Sequence, residues 1–132
     1  MKITADTNVL VRALTGDDAV QSKIAQAALA DAEMVALALP ALCELVWVLL
    51  RGYKIAAPDI AAAIRRLTDA ATVAVNRPAV EAGLALLEAG GDFADGVIAY
   101  EGHWLGAEAL VSFDKKAVEL LQAQQQAASL LA

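Results

Sequence analysis

The sequence is short of sulfur, histidine, long apolar runs and positive charge, and each shortage closes off a class of protein. Its one cysteine, Cys43, excludes an internal disulfide and a thiolate metal cluster. Beside Leu42 it reads as a small core residue. Its one histidine, His103, cannot build a histidine-rich zinc site, and among Gly102, Trp104 and Leu105 it reads as a surface or packing residue. The longest apolar stretches, Met34–Leu42 and Leu45–Leu50, are interrupted by Glu44. Both fall short of the roughly 20 apolar residues that cross a bilayer. Met1-Lys2-Ile3-Thr4-Ala5-Asp6 lacks the apolar stretch of a signal peptide, so the expectation is a soluble cytoplasmic protein.

Ten Lys and Arg stand against sixteen Asp and Glu, for a formal charge of −6. Nucleic-acid binding over a broad surface normally rests on basic residues that neutralise phosphates. A nucleic-acid enzyme with this balance has to bind locally, through a cation and a few bases. Otherwise some of the acids serve a basic partner.

What is present is apolar residues in quantity, 59% of the 132 residues at a mean hydropathy of +0.54. That supports a sizeable core and a single domain over residues 1–132. Short apolar runs alternate with helical patterns. Strands are predicted at Lys2–Ala5, Met34–Leu39, Thr72–Val75 and Ala109–Ser112. Helices are predicted at Asn8–Leu14, from Asp18 (a capping box with Gln21) to Leu29, and from Pro40 to Leu50–Arg51 before Gly52. Others run from Pro58 to Leu67, from Pro78 to Glu88 before Gly90-Gly91, and from about Asp95 to Leu105. The last runs from Asp114 into the Gln/Ala-rich tail, with a frayed end. This alternation predicts an α/β fold with a parallel sheet and right-handed crossovers.

Four acids interrupt apolar sequence: Asp6 in Ile-Thr-Ala-Asp-Thr-Asn-Val-Leu, Glu44 in Leu-Cys-Glu-Leu-Val-Trp, Asp95 in Phe-Ala-Asp-Gly-Val-Ile, and Asp114 in Val-Ser-Phe-Asp-Lys-Lys. Asp6 closes the first strand and Asp114 follows the last. Glu44 and Asp95 lie near the starts of helices. In a parallel sheet those positions share the carboxyl edge, where open α/β sheets place their ligands. Two carboxylates about 5 Å apart repel by roughly 3 kcal/mol at an effective dielectric near 20. An all-oxygen set without His or Cys suits Mg²⁺ or Mn²⁺. Each acid also has a structural role to offer. Asp114 fits a helix N-cap, Asp95 the positive end of a helix dipole, and Asp6 a strand-to-helix turn. Glu44, read as buried, is the hardest to assign to structure alone. Asp92 is a fifth acid, suited to binding through water or to capping the loop after Gly91.

Two other acid-bearing sheets fit less well. A phosphoacceptor receiver domain needs an Asp after the third strand, where Asn76 and Arg77 stand. A haloacid-dehalogenase-like phosphatase needs a second Asp at position 8, which is Asn8.

Asp6-Thr7-Asn8-Val9-Leu10, Glu44-Leu45, Gly91-Asp92-Phe93-Ala94-Asp95 and Ser112-Phe113-Asp114-Lys115 resemble, in order and spacing, the four acidic motifs of PIN-domain proteins, the VapC toxins of bacterial toxin–antitoxin pairs in particular. The resemblance implies a three-layer α/β/α sandwich around a mainly parallel sheet of four to five strands. It implies an endoribonuclease dependent on Mg²⁺ or Mn²⁺, a homodimer, and inhibition by a cognate antitoxin. By motif, Asp6, Glu44, Asp95 and Asp114 form the acidic site. Asp6, Asp95 and Asp114 are the metal ligands, and Glu44 orients or deprotonates the attacking water. Thr7, Asn8 and Ser112 hold the carboxylates in place. The implied reaction is hydrolysis of RNA phosphodiester bonds, in single-stranded or loop RNA. Arg12, Arg51, Lys54, Lys115 and Lys116 are candidates for steering the backbone. Apolar surface near Val9–Leu14 and Val46–Tyr53 is a candidate groove for a partner helix. The alternative reading is a PIN scaffold that binds protein or RNA without cleaving.

Overall fold

A computed structural model describes all 132 residues. The chain divides into two units, Met1–Asn76 and Arg77–Ala132.

The first unit is built on three parallel strands in the order β1 (Lys2–Thr4), β2 (Met34–Leu37), β3 (Val73–Val75). Ile3 pairs with Val35, and Val35 in turn with Val73. The central strand β2 buries Val35 and Leu37, as its unbroken apolar run predicts. Four α-helices connect the strands: α1 (Thr7–Leu14), α2 (Ala19–Asp31), α3 (Leu39–Trp47) and α4 (Ala57–Asp69). Asp18 caps α2 by accepting from the Gln21 amide at 3.0 Å. α4 buries Ile60, Ala61, Ile64 and Thr68, one stripe at helical spacing.

α3 ends earlier than expected. Val48–Gly52 forms a π-helical turn, with the Tyr53 amide bonded to the Val48 carbonyl at 3.1 Å. The wider turn leads to Tyr53, whose hydroxyl donates to Asp17 Oδ2 at 2.6 Å. The other oxygen of Asp17 accepts from Thr15 and Arg12, at 2.9 and 3.2 Å. These bonds hold the Asp17 carboxyl below its ordinary value, the Tyr53 hydroxyl contributing most. One guanidinium nitrogen of Arg12 is thereby engaged with Asp17.

In the second unit, α5 (Arg77–Glu88) packs on α6 (Phe93–Trp104), and β4 (Leu110–Ser112), α7 (Lys115–Ala123) and β5 (Ala128–Leu130) follow. Gly90 ends α5 with φ +96°, and the Gly91 amide bonds back to the Leu86 carbonyl at 2.8 Å. β4 and β5 run parallel, with Val111 opposite Ser129. Leu86, Val118, Leu121 and Ala128 form the core beside them.

The α/β class and the parallel pairing of five strands are as expected. The strands are hydrogen-bonded as a ladder of three and a ladder of two. The fifth strand comes from the tail, which continues no helix. Gln125 takes the left-handed conformation at φ 64°, and the Gln126 amide returns to the Leu121 carbonyl at 2.9 Å. A helix stop of that shape is normally written with glycine, so a glutamine there concealed both the stop and the strand. No helix is long and apolar enough to cross a membrane.

Candidate active site and its acidic residues

In the first unit, Asp6 directly follows β1 and caps α1, its Oδ1 accepting from the Val9 amide at 3.0 Å. One carboxylate oxygen is therefore committed to the helix start, and Oδ2 is left for other work. The next residue, Thr7, donates its hydroxyl to Glu44 Oε2 at 3.0 Å and so ties the start of α1 to α3. Glu44 is exposed, contrary to the expectation of a buried carboxylate. The apolar residues around it explain the difference: Leu42, Leu45 and Val46 turn into the core and leave position 44 on the open side of the same helix.

In the second unit, Asp92 caps α6 by accepting from the Ala94 amide at 3.1 Å. Asp95 therefore lies in the first turn instead of opening the helix. Asp114 caps α7 with Oδ1 on the Ala117 amide at 3.1 Å. Its own amide donates to Ser112 Oγ at 2.9 Å, so Ser112 sets the Asp114 backbone. Asp95 is half-buried. Burial first, then the charges of Asp92 and Asp114, raises its carboxyl above its ordinary value. Two acids of this unit thus act on Asp95.

Glycines set the close contact of α5 with the first turns of α6. A Cβ on Gly83 of α5 would meet the Phe93 ring at 2.6 to 2.9 Å, and one on Gly96 would strike the Ala82 carbonyl oxygen. Phe93, fully buried between Asp92 and Ala94, is seated in the notch that Gly83 leaves. The Gly91-Asp92-Phe93-Ala94-Asp95 stretch therefore has a packing role that its acids alone did not reveal.

The structure joins Glu44 to Thr7 beside Asp6, and Asp95 to Asp92 and Asp114. No three His, Cys, Asp or Glu side chains stand close enough to close a cation cage by themselves. The donor chemistry still fits a hard cation. In the second unit the acids offer only oxygen, Asp92 and Asp114 each keep one oxygen outside their capping bond, and Asp95 carries a repulsion that positive charge relieves. Such a cation keeps part of its shell for water and substrate, as Mg²⁺ does. The basic candidates Arg51, Lys54, Lys115 and Lys116 are exposed, with Lys115 3.9 Å from Glu119. Of the expected groove residues, Leu10, Val11, Val46 and Leu49 are core, while Leu14 and Trp47 stay exposed.

The family model for the PIN domain matches residues 3–121, which takes in all four acids and parts of both units. No curated protein matches the chain.

Proposed function

The chain belongs to the PIN-domain family, and from that membership we propose that it is a Mg²⁺- or Mn²⁺-dependent endoribonuclease acting as the toxin of a toxin–antitoxin pair. PIN domains are generally metal-dependent nucleases. The observation that carries the reading is Asp95, a half-buried carboxyl pushed up by burial and by Asp92 and Asp114. Carboxyls perturbed by burial and by like charges cluster at functional sites.

By motif, Asp6, Asp95 and Asp114 are the ligands of the cation, and Asp92 acts in support. A divalent cation bound there supplies positive charge that offsets the acids and stabilises charge developing on a phosphodiester. Glu44, held by the Thr7 hydroxyl, orients the attacking water and accepts its proton. Ser112 keeps the Asp114 turn in place through the hydrogen bond its hydroxyl accepts from the Asp114 amide. The acidic chain favours an RNA whose single strand enters locally over one gripped along a duplex. The partner is a cognate antitoxin in the cytoplasm, with a basic side chain, arginine above all, that pairs with the same carboxylates. The active form is a homodimer.

Purified protein, freed of any partner, is incubated with total cellular RNA with and without Mg²⁺ or Mn²⁺, beside Asp95→Asn. Discrete fragments that need metal and vanish in the variant support the reading. Folded protein that binds metal and cleaves no RNA favours the binding scaffold instead.

A further inference from the structure

The second unit has a groove that the acidic residues do not use. Its volume is about 540 Å³, within the ~300–1,000 Å³ range of ligand sites. Ile98, Tyr100 and His103 of α6 line it, with Glu108 ahead of β4 and Gln126 ahead of β5. Along α6, His103 is about 12 Å of helix rise from Asp95, so the groove belongs to the other end of the helix. Next to His103, Trp104 and Leu105 are 75% and 79% exposed, and Ile98 is 55% exposed. Ile98 thus brings exposed apolar surface into the groove itself, and Trp104 and Leu105 follow at the end of α6. Tyr100, His103, Glu108 and Gln126 make no side-chain hydrogen bond or ion pair within the chain, so their polar groups are available to something else.

Charge selects the occupant. Between Arg77 and Lys115 the sequence has seven acids and no Lys or Arg. Glu108 lines the groove, and the carboxyl end of α6 adds negative potential beside it. RNA finds no base there for its phosphates. A second copy docking by the same face sets like charges opposite one another. A polypeptide with both apolar and basic side chains meets neither obstacle.

We propose that this groove docks a basic amphipathic polypeptide segment, its apolar side chains entering beside Ile98 and its Lys or Arg pairing with Glu108. The proposal is independent of cleavage and of any metal.

The probe is a fluorescein-labelled helical peptide of Leu and Lys at i, i+4 spacing, titrated by anisotropy against the full chain, with a Leu/Glu peptide of the same apolar pattern as control. The expected result is saturable one-to-one binding of the Lys peptide alone. Ile98→Ser weakens it about tenfold through lost apolar burial. Glu108→Gln, at an exposed position that folding does not need, weakens it about threefold and flattens its salt dependence. Equal binding of the Glu peptide, no binding of the Lys peptide at millimolar concentration, or binding unchanged in both variants overturns the proposal. So does sedimentation of the protein alone as a dimer that Ile98→Ser makes monomeric, which makes the groove a contact between copies.

Discussion

A carboxyl group that loses water while gaining two negative neighbours prefers to hold its proton, and Asp95 is in that position. With its folded value raised, the native state binds more protons than the unfolded chain between the ordinary and the raised value. Stability therefore falls as pH rises through that window and stays lower above it. Asp95→Asn, which carries no charge, is expected to melt higher than the parent at neutral pH without metal. The gain is below about 1 kcal/mol because solvent screens the half-open group, which is roughly 1–3 °C. Calorimetry across pH checks it, since the difference should close on acidification. Added Mn²⁺ should reverse the order by raising the parent's midpoint and leaving the variant's in place. A second test at this scale concerns Thr7, whose hydroxyl holds Glu44. Thr7→Val should lower kcat about 10- to 100-fold with KM nearly unchanged, and Thr7→Ser should restore it. A merely structural hydroxyl would shift the melting point and leave that split absent. The acids themselves were legible in the sequence because they interrupt apolar runs. Glu44's exposure was not, since linear neighbours of a helical residue point in different directions.

At the scale of elements, the first turn of α6 owes its place to the contact with α5. Gly83→Ala sets a methyl against the Phe93 ring, which a rotation of that ring can only partly relieve. The expected cost is about 1–3 kcal/mol, larger than the ~1 kcal/mol that alanine gains in helix propensity. Gly96→Ala should cost more, because its methyl meets backbone at Ala82 and backbone has no rotamer to change. Chemical denaturation ranks the two, and equal stability of Gly96→Ala and the parent would exclude the close crossing. Most elements were legible from capping residues and apolar spacing. Asp18 with Gln21 opens α2, and Gly90 closes α5. The π-helical turn at Val48–Gly52 and the strand at Ala128–Leu130 were not. The first has no distinct residue pattern, and the second hid behind a left-handed glutamine.

For the whole molecule, a charge of −6 limits how RNA is held. If binding runs through a cation and a few exposed bases, the logarithm of affinity should fall with the logarithm of salt at a slope of about −1 to −3. A protein with 6 to 10 contacts to single-strand phosphates shows roughly −4 to −7. Filter binding of RNA to Asp95→Asn in Ca²⁺ from 50 to 200 mM salt measures the slope, and a steep one would mean an extended basic track and overturn local binding.

The sequence by itself determined the α/β class, the places where strands meet helices and which carboxylates break the apolar pattern, because periodicity, caps and local polarity are properties of neighbours along the chain. Tertiary structure decided the pairing of strands into ladders of three and two, and the bond from Thr7 to Glu44. It also decided the crowding of Asp92, Asp95 and Asp114, and the groove beside Ile98 and Glu108. These rest on contacts between residues far apart in the chain, whose energies depend on distance and burial that no local pattern encodes.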